Sequence, residues 1–189
     1  MLESAPMPLP VSEVERELTH TRRVRYEGYK RADGLWDIEA HLLDTKNHDY
    51  QLKTGIRRAG QPIHDMRVRL TIDRSFTIVD ALASSDAVPY PGGCEAITPA
   101  YRKLIGLNLL RGFRKRLAEL FGGMKGCTHL TELLAGVPTA AIQTFAGEIR
   151  PDREEARKPF QLDQCHALDT TGETVRQWYP RWYRKINTA

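Results

Sequence analysis

The sequence predicts an α+β protein in which an antiparallel β-meander from the N-terminal half is covered by helices from the C-terminal half. Two observations support this fold class. Between residues 22 and 83, apolar side chains alternate with charged ones, and short turn signals separate the alternating segments. After residue 98, apolar side chains recur at helical spacing, and strands followed by helices are typical of an α+β layer.

The strand signals define a meander. The first strand alternates from Arg22, and Asp33-Gly34 provides the turn chemistry of a hairpin. A short strand is also expected between Tyr50 and Ile56, and another from Phe76 to Ala83. The two clearest strands place these residues on their inner faces: Trp36, Ile38, Ala40 and Leu42 in one, and His64, Met66, Val68, Leu70 and Ile72 in the other.

The second half carries helix signals. Thr98 followed by Pro99 is a favourable helix start, and the apolar spacing predicts one long helix that ends at Gly122-Gly123. A second helix is expected from Thr128 to about residue 146, kinked or divided at Pro138. The aromatic segment from 178 to 183 is expected to be extended.

These signals predict the domain organisation. The chain has 189 residues, of which 41% are hydrophobic and 28% charged, an ordinary balance for one globular core. We expect residues 22–189 to form a single α+β domain, with the aromatic and basic C-terminal tail packed back on it. Residues 1–21 are expected to form an arm with a short helix that begins at Ser12, since Glu15 follows at the capping-box spacing.

Charge and cysteine content restrict the class of protein. The net charge of +4 comes from basic residues spread along the chain, whereas nucleic-acid binders concentrate them on one face. Three cysteines, an odd number, argue against a secreted disulfide framework. The first ten residues do not resemble a signal peptide, and no apolar run is long enough for a membrane helix. We therefore expect a cytoplasmic protein with no membrane or nucleic-acid partner.

Chemically reactive residues occur at the predicted ends of elements. Cys127 lies at the entrance to the second helix, where backbone amides favour a thiolate, and His129 and Glu132 share one side of its first turn. With His64 they form a candidate catalytic set of nucleophile, acid and base. A candidate zinc or iron site, including an iron–sulfur cluster, consists of Cys94, Cys127, His129 and Cys165.

Structural roles explain the same residues without any chemistry. Free cysteine is among the most buried residue types, and no repeated CxxC spacing supports the metal set. His64 alone is typical of a core histidine, and His129 with Glu132 could form a capping pair. Under these alternatives the protein has no cofactor. The tail that interleaves Trp178 and Trp182 with arginines favours packing over nucleic-acid stacking.

Several motifs resemble the domain of unknown function 2889 family, a bacterial family with no assigned activity. The similarity runs from about Arg22 to Pro180. It is carried by five segments, namely Arg31–Ile38, Asp44–Lys46, Gly60–Met66, Gly126–Leu133 and Cys165–Leu168. The resemblance implies kinship and leaves the activity open.

A second resemblance concerns element order only. A three-stranded meander, a loop cysteine and a helix opened by Cys and His are similar to the iron–sulfur scaffold proteins of the IscU and NifU type. This likeness implies that Cys94, Cys127 and His129 would lie near the ligands of a cluster. The sequence departs from that pattern, because His129 follows Cys127 by two positions and Cys165 lies far downstream.

Three functions therefore remain open. The first is an enzyme that binds a small molecule in a pocket between sheet and helices, lined by Trp36, Met66 and Phe113. The second is a metal or iron–sulfur carrier, and the third is a non-catalytic binding module that uses the tail. The sequence favours the enzyme, with a small-molecule ligand, and leaves open whether the chain forms a homo-oligomer.

Overall fold

The computed structural model of the chain describes residues 9–146, 148, 158–159 and 161–185. It contains two compact units, one ending at Thr144 and the other beginning at Phe145. The packing of the C-terminal tail on a single domain stays a prediction.

The first unit is built on a four-stranded antiparallel sheet. Its strands are β1 (His20–Lys30), β2 (Trp36–Lys46), β5 (Pro62–Ile72) and β6 (Ile78–Ala87), paired in the order β1-β2-β5-β6. A separate hairpin of β3 (Tyr50–Leu52) and β4 (Gly55–Arg57) lies between β2 and β5 in the chain. The sheet and the helices that follow confirm the predicted α+β class.

One face of this sheet is apolar and the other is charged. Alternate residues of β2, from Trp36 to Asp44, are buried, and their neighbours are half-buried. Strand β5 continues the pattern with Met66, Val68 and Leu70 inward and arginines between them. This period of two is what the sequence predicted, because successive side chains of a strand point to opposite faces.

The predicted long helix is wrong. The structure has a 3-10 helix (Glu95–Leu104) and a separate helix α1 (Phe113–Phe121). Between them, Gly106 and Gly112 adopt φ values of +88° and +67°, which no regular helix contains. The backbone of this segment instead bonds to the sheet: Gly106 N–H donates to Ile78 O, and Leu109 N–H donates to Phe76 O.

The last helix of the first unit, α2 (Thr128–Phe145), begins where the sequence predicted. It continues through Pro138 without division. Among its apolar side chains, Leu130, Leu134 and Val137 are fully buried. The hydroxyl of Tyr26 in β1 donates to the carbonyl of Leu133 at 2.8 Å, which ties α2 to the inner face of the sheet.

The expected N-terminal helix is absent from residues 9–19, which have no regular secondary structure. The Ser12 hydroxyl bonds the backbone of Val14 only two residues on, and the side chains of Val14 and Leu18 are exposed. A short helix is marginal in water without an apolar surface to cover. Residues 1–8 of the predicted arm lie outside the described residues.

The second unit contains α3 (Glu173–Trp178) and two 3-10 helices (His166–Leu168 and Pro180–Trp182). The expected extended segment at 178–183 is therefore wrong. Asp163 organises this unit by accepting hydrogen bonds from the backbone and hydroxyl of Thr170 and from Lys158. These bonds hold the pKa of Asp163 below its usual value. Among the described helices of both units, none is long and apolar enough to cross a membrane.

The contact between β1 and α2 yields a stability prediction. A Cβ added at Gly28 would lie 1.9 Å from Oγ1 and 2.7 Å from Cβ of Thr144. Alanine normally stabilises a strand relative to glycine by roughly 0.5–1 kcal/mol. We expect Gly28→Ala to lower the free energy of unfolding by about 1–3 kcal/mol instead, as measured by urea denaturation.

The matched control is Gly93→Ala, where the added Cβ meets one carbonyl oxygen at an ordinary 3.6 Å. This control should change the free energy of unfolding by less than about 0.5 kcal/mol. Equal stability of the Gly28→Ala variant and the wild type would contradict the close packing of α2 on β1.

Candidate metal centre

Three polar residues stand in one row across the inner face of the sheet. Arg22 of β1 is directly opposite Asp44 of β2, which is directly opposite His64 of β5. Asp44 occupies the next inward position after Leu42, so the alternation of β2 turns its carboxylate toward the covered face. The side chain of Asp44 is 3% exposed. A charge buried to this extent is costly unless it is paired, so the stability of this region depends on the hydrogen-bond partners of Asp44.

Three residues surround the Asp44 carboxylate. Arg22 contacts it with two parallel bonds, Nε to Oδ1 and Nη2 to Oδ2, both 2.8 Å. His20 Nε2 lies 3.2 Å from Oδ1, and His64 Nδ1 lies 2.9 Å from Oδ2. Since an ionised carboxylate only accepts hydrogen bonds, the proton shared with His64 resides on Nδ1.

These contacts determine the charge state of Asp44. Burial by itself would raise the pKa of a carboxyl group, but the hydrogen bonds from Arg22 and His64 outweigh it and lower the pKa of Asp44 to about 2. Asp44 is therefore an anion at neutral pH. An anionic, nearly buried carboxylate is a good ligand for a cation.

Helix α2 brings a second histidine to this row. The ring of His129 lies against that of His64, with 3.9 Å between centroids and 34° between planes. Burial lowers the pKa of His129, and the nearby His64 and Arg22 lower it further. The imidazole of His129 is therefore neutral at pH 7, the form in which histidine binds metal ions or accepts a proton.

Tyr101 fixes the start of α2. Its hydroxyl accepts the Cys127 N–H at 3.0 Å and donates to the Cys127 carbonyl at 3.2 Å. The Tyr101 ring stacks on Phe121 of α1 with 4.3 Å between centroids. Because Cys127 immediately precedes α2, this contact determines where the first turn, and with it His129, meets the sheet.

The resulting cluster has the composition of a metal site. Within the part of the chain that the structure describes, Asp44, His64 and His129 are the one group whose ligand atoms all lie within 4.8 Å of one another. Ligands at about 2.1 Å from a tetrahedral zinc ion lie about 3.4 Å apart. The 2.9 Å between Asp44 Oδ2 and His64 Nδ1 is the length of their hydrogen bond, so these two side chains would have to move slightly apart to hold an ion between them.

The structure places the sequence-predicted catalytic residues around this cluster. His64 and His129 belong to it, and Cys127 Sγ lies 3.9 Å from Nδ1 of His129. Glu132 is connected to the cluster by Arg22, because Arg22 Nη1 donates a hydrogen bond to Glu132 Oε2 at 3.0 Å. The side chain of Glu132 is 59% exposed, so it faces solvent at the rim of the cluster.

The other two cysteines of the predicted metal set are not in the group. Cys94 is half-buried and precedes the 3-10 helix Glu95–Leu104, and Cys165 is exposed in the second unit. Their role as ligands stays a prediction. The expected pocket lining of Trp36, Met66 and Phe113 is at most 5% exposed, so these side chains form core rather than an open surface.

Sequence reasoning missed Asp44, Arg22 and His20. Asp44 could have been found, because it extends the inward positions 36, 38, 40 and 42 by one step and places a charge on a buried face. Arg22 could then have been recognised as its partner on the neighbouring strand, at an inward position of β1. His20 gives no such signal, since its contact with Asp44 depends on the pairing register.

A family model described as "Protein of unknown function (DUF2889)" matches residues 20–143. The chain belongs to the DUF2889 family. The matched range includes Arg22, Asp44, His64, His129 and Glu132, and it ends before the Cys165–Leu168 motif. Comparisons with curated proteins and with solved structures found no match, so the likeness to iron–sulfur scaffold proteins has no support from them.

The paired carboxylate predicts a pH-dependent contribution to stability. Because the pKa of Asp44 is lower in the folded chain than its ordinary 3.8, its ionisation stabilises the fold above about pH 4, and this is lost as the pH falls toward 2. A difference of this size corresponds to about 2 kcal/mol. We expect Asp44→Asn to lower the free energy of unfolding by about that amount at pH 7, as measured by urea denaturation.

The difference in the free energy of unfolding between Asp44→Asn and the wild type should become smaller as the pH falls from 4 to 2. Asp86→Asn is a suitable control, because the Asp86 side chain is 55% exposed and pairs with the exposed Arg67. An Asp44→Asn variant as stable as the wild type at pH 7 would show that the Arg22–Asp44 pair does not stabilise the fold.

Proposed function

We propose that this protein is a metal-dependent enzyme that acts on a small molecule, with one divalent zinc or iron ion held by Asp44, His64 and His129. The observation that carries the proposal is the convergence of one buried carboxylate and two imidazoles, from three different elements, within 4.8 Å. Two histidines and one carboxylate are a ligand set that both zinc hydrolases and non-haem iron enzymes use.

The presence of three candidate protein ligands favours a catalytic metal site over a site that only carries the ion. Structural and storage sites usually enclose the ion with four protein ligands, whereas catalytic sites leave positions for water or substrate. The rim of this cluster is open, because Glu132 is exposed and His20 is 38% exposed. A carrier remains the alternative, and it predicts transfer of the ion to a partner without turnover.

The protonation states support cation binding. Asp44 is ionised and His129 is neutral at pH 7, so neither has to lose a proton to become a ligand. His64 would exchange the Nδ1 proton that it shares with Asp44 for the metal ion. Arg22 would keep its two bonds to Asp44 and so orient the carboxylate, as second partners of metal ligands commonly do.

The remaining groups suggest a division of roles. A bound divalent ion supplies an activated water molecule or polarises a carbonyl oxygen of the substrate. Glu132, on the solvent side of Arg22, is placed to take up or deliver a proton at the rim. Cys127 lies beside His129 rather than in the ligand group, so its thiol would border the substrate.

The first experiment measures metal content and affinity in untagged protein purified without oxygen. We expect about one zinc or iron per chain by elemental analysis. His129→Ala and His64→Ala should each weaken zinc binding by about 100-fold or more in a chelator competition, because each removes one of three ligands. Turnover of ester and amide substrate libraries should require the bound ion.

The matched control is His41→Ala. His41 also contacts a carboxylate, with Nε2 2.8 Å from Asp65 Oδ1, but it lies on the opposite face of the sheet. Its removal should leave metal affinity unchanged. A well-folded protein that takes up neither zinc nor iron after anaerobic reconstitution would refute the metal centre.

Two contacts favour a metal-free alternative. His64 is oriented by the Asp44 carboxylate as a general base is in acid–base enzymes, and Cys127 lies close enough to His129 to pass it a proton. This alternative predicts activity that survives chelators and disappears in Cys127→Ser. The metal-dependent enzyme predicts loss of activity with chelators and partial activity in Cys127→Ser, so the two measurements together separate the candidates.

A further inference from the structure

The outer face of the sheet, on the opposite side from the metal centre, contains a cavity of about 280 Å³. It extends over parts of all four strands. Its lining includes the charged residues Arg25, Glu27, Glu39, Arg67 and Arg69, together with His41 and Leu82.

One row of the cavity carries two arginines. Arg25 of β1 is directly opposite His41 of β2, and His41 is directly opposite Arg67 of β5. The Nε2 atom of His41 lies 2.8 Å from Asp65 Oδ1, so this ring already has a partner within the chain. The two guanidinium groups are the donors that this row offers to an anion.

The adjacent row carries two carboxylates. Glu27 of β1 is directly opposite Glu39 of β2, two residues along from Arg25 and His41 and so about 7 Å away. Glu39 is in turn directly opposite Arg69 of β5. The cavity thus presents guanidinium groups in one row and the carboxylates of Glu27 and Glu39 in the next.

The existing ion pairs do not close the cavity. Arg25 Nε lies 3.2 Å from Glu27 Oε2, and these side chains are 67% and 40% exposed. Arg67 pairs with Asp65 and Asp86, and Arg69 pairs with Glu39. Exposed pairs of this kind contribute little to stability, so a ligand that offers both charges can replace the Arg25–Glu27 pair at little cost.

We propose that this cavity is a binding site for a small α-amino acid. Its carboxylate contacts Arg25 and Arg67, and its ammonium group contacts Glu27 and Glu39. Leu82 of β6 is directly opposite Arg69 of β5, and it is 48% exposed. It provides an apolar contact for an aliphatic side chain of the ligand. The site is independent of the proposed metal centre, because the two lie on opposite faces of the sheet.

The test is isothermal titration calorimetry of the full chain with L-leucine and with two analogues. The analogue 4-methylpentanoate lacks the ammonium group, and 3-methylbutylamine lacks the carboxylate. We expect L-leucine to bind at least about tenfold more tightly than either analogue, because each loses one set of charge-assisted hydrogen bonds. Equal binding of 4-methylpentanoate would show a plain anion site and overturn the proposal, as would absence of binding by all three.

Two variants tie the binding to this cavity. Arg25→Gln and Glu27→Gln, both at exposed positions of an edge strand, should each weaken L-leucine binding by about tenfold. Arg116→Gln is the control, since Arg116 forms an exposed pair with Glu119 on α1. Unchanged affinity in both cavity variants, with folding verified by circular dichroism, would place any leucine binding elsewhere and reject this site.

Discussion

The fold of the first unit depends on how one nearly buried carboxylate is neutralised. Asp44 faces the covered side of the sheet, where an unpaired charge would cost several kcal/mol. Arg22 supplies two bonds from one neighbouring strand, and His64 supplies one from the other. The register of β1, β2 and β5 is therefore coupled to this residue, because a shift by one position would turn Asp44 or its partners to the opposite face.

The same carboxylate links the sheet to the helices. Arg22 also reaches Glu132 in the first turn of α2, and His129 of that turn lies on His64. Tyr101 holds the turn from the other side through Cys127. The contacts that assemble the fold at this end are thus the ones that bring the candidate ligands together. For this reason variants at Asp44 should change the stability and the proposed metal affinity together, whereas variants at His129 should mainly change that proposed affinity.

The sequence predicted the elements that depend on interactions between residues close together in the chain. The inward faces of β2 and β5 and the start of α2 were predictable, because they follow from alternation and helical spacing within one segment. The division of the long helix was not, since residues 106–109 bond to the sheet edge, a contact distant in sequence. The candidate site was found in part. His64, Cys127 and His129 stood out by residue type, and the alternation of β2 would have shown Asp44 as an inward charge, but its contacts with Arg22 and His64 depend on strand register.

Charge balance at the cluster bears on what it can bind. Asp44 and Glu132 each contribute −1 and Arg22 contributes +1, so the charges of these three groups sum to −1. A divalent cation would change this sum to +1. The Arg22 guanidinium, 2.8 Å from a ligand carboxylate, also opposes a tightly held cation. An anionic or readily ionised ligand in the open positions, such as a substrate carboxylate or hydroxide, would restore the balance. The proposed metal centre is therefore better suited to chemistry on such a ligand than to permanent storage of the ion.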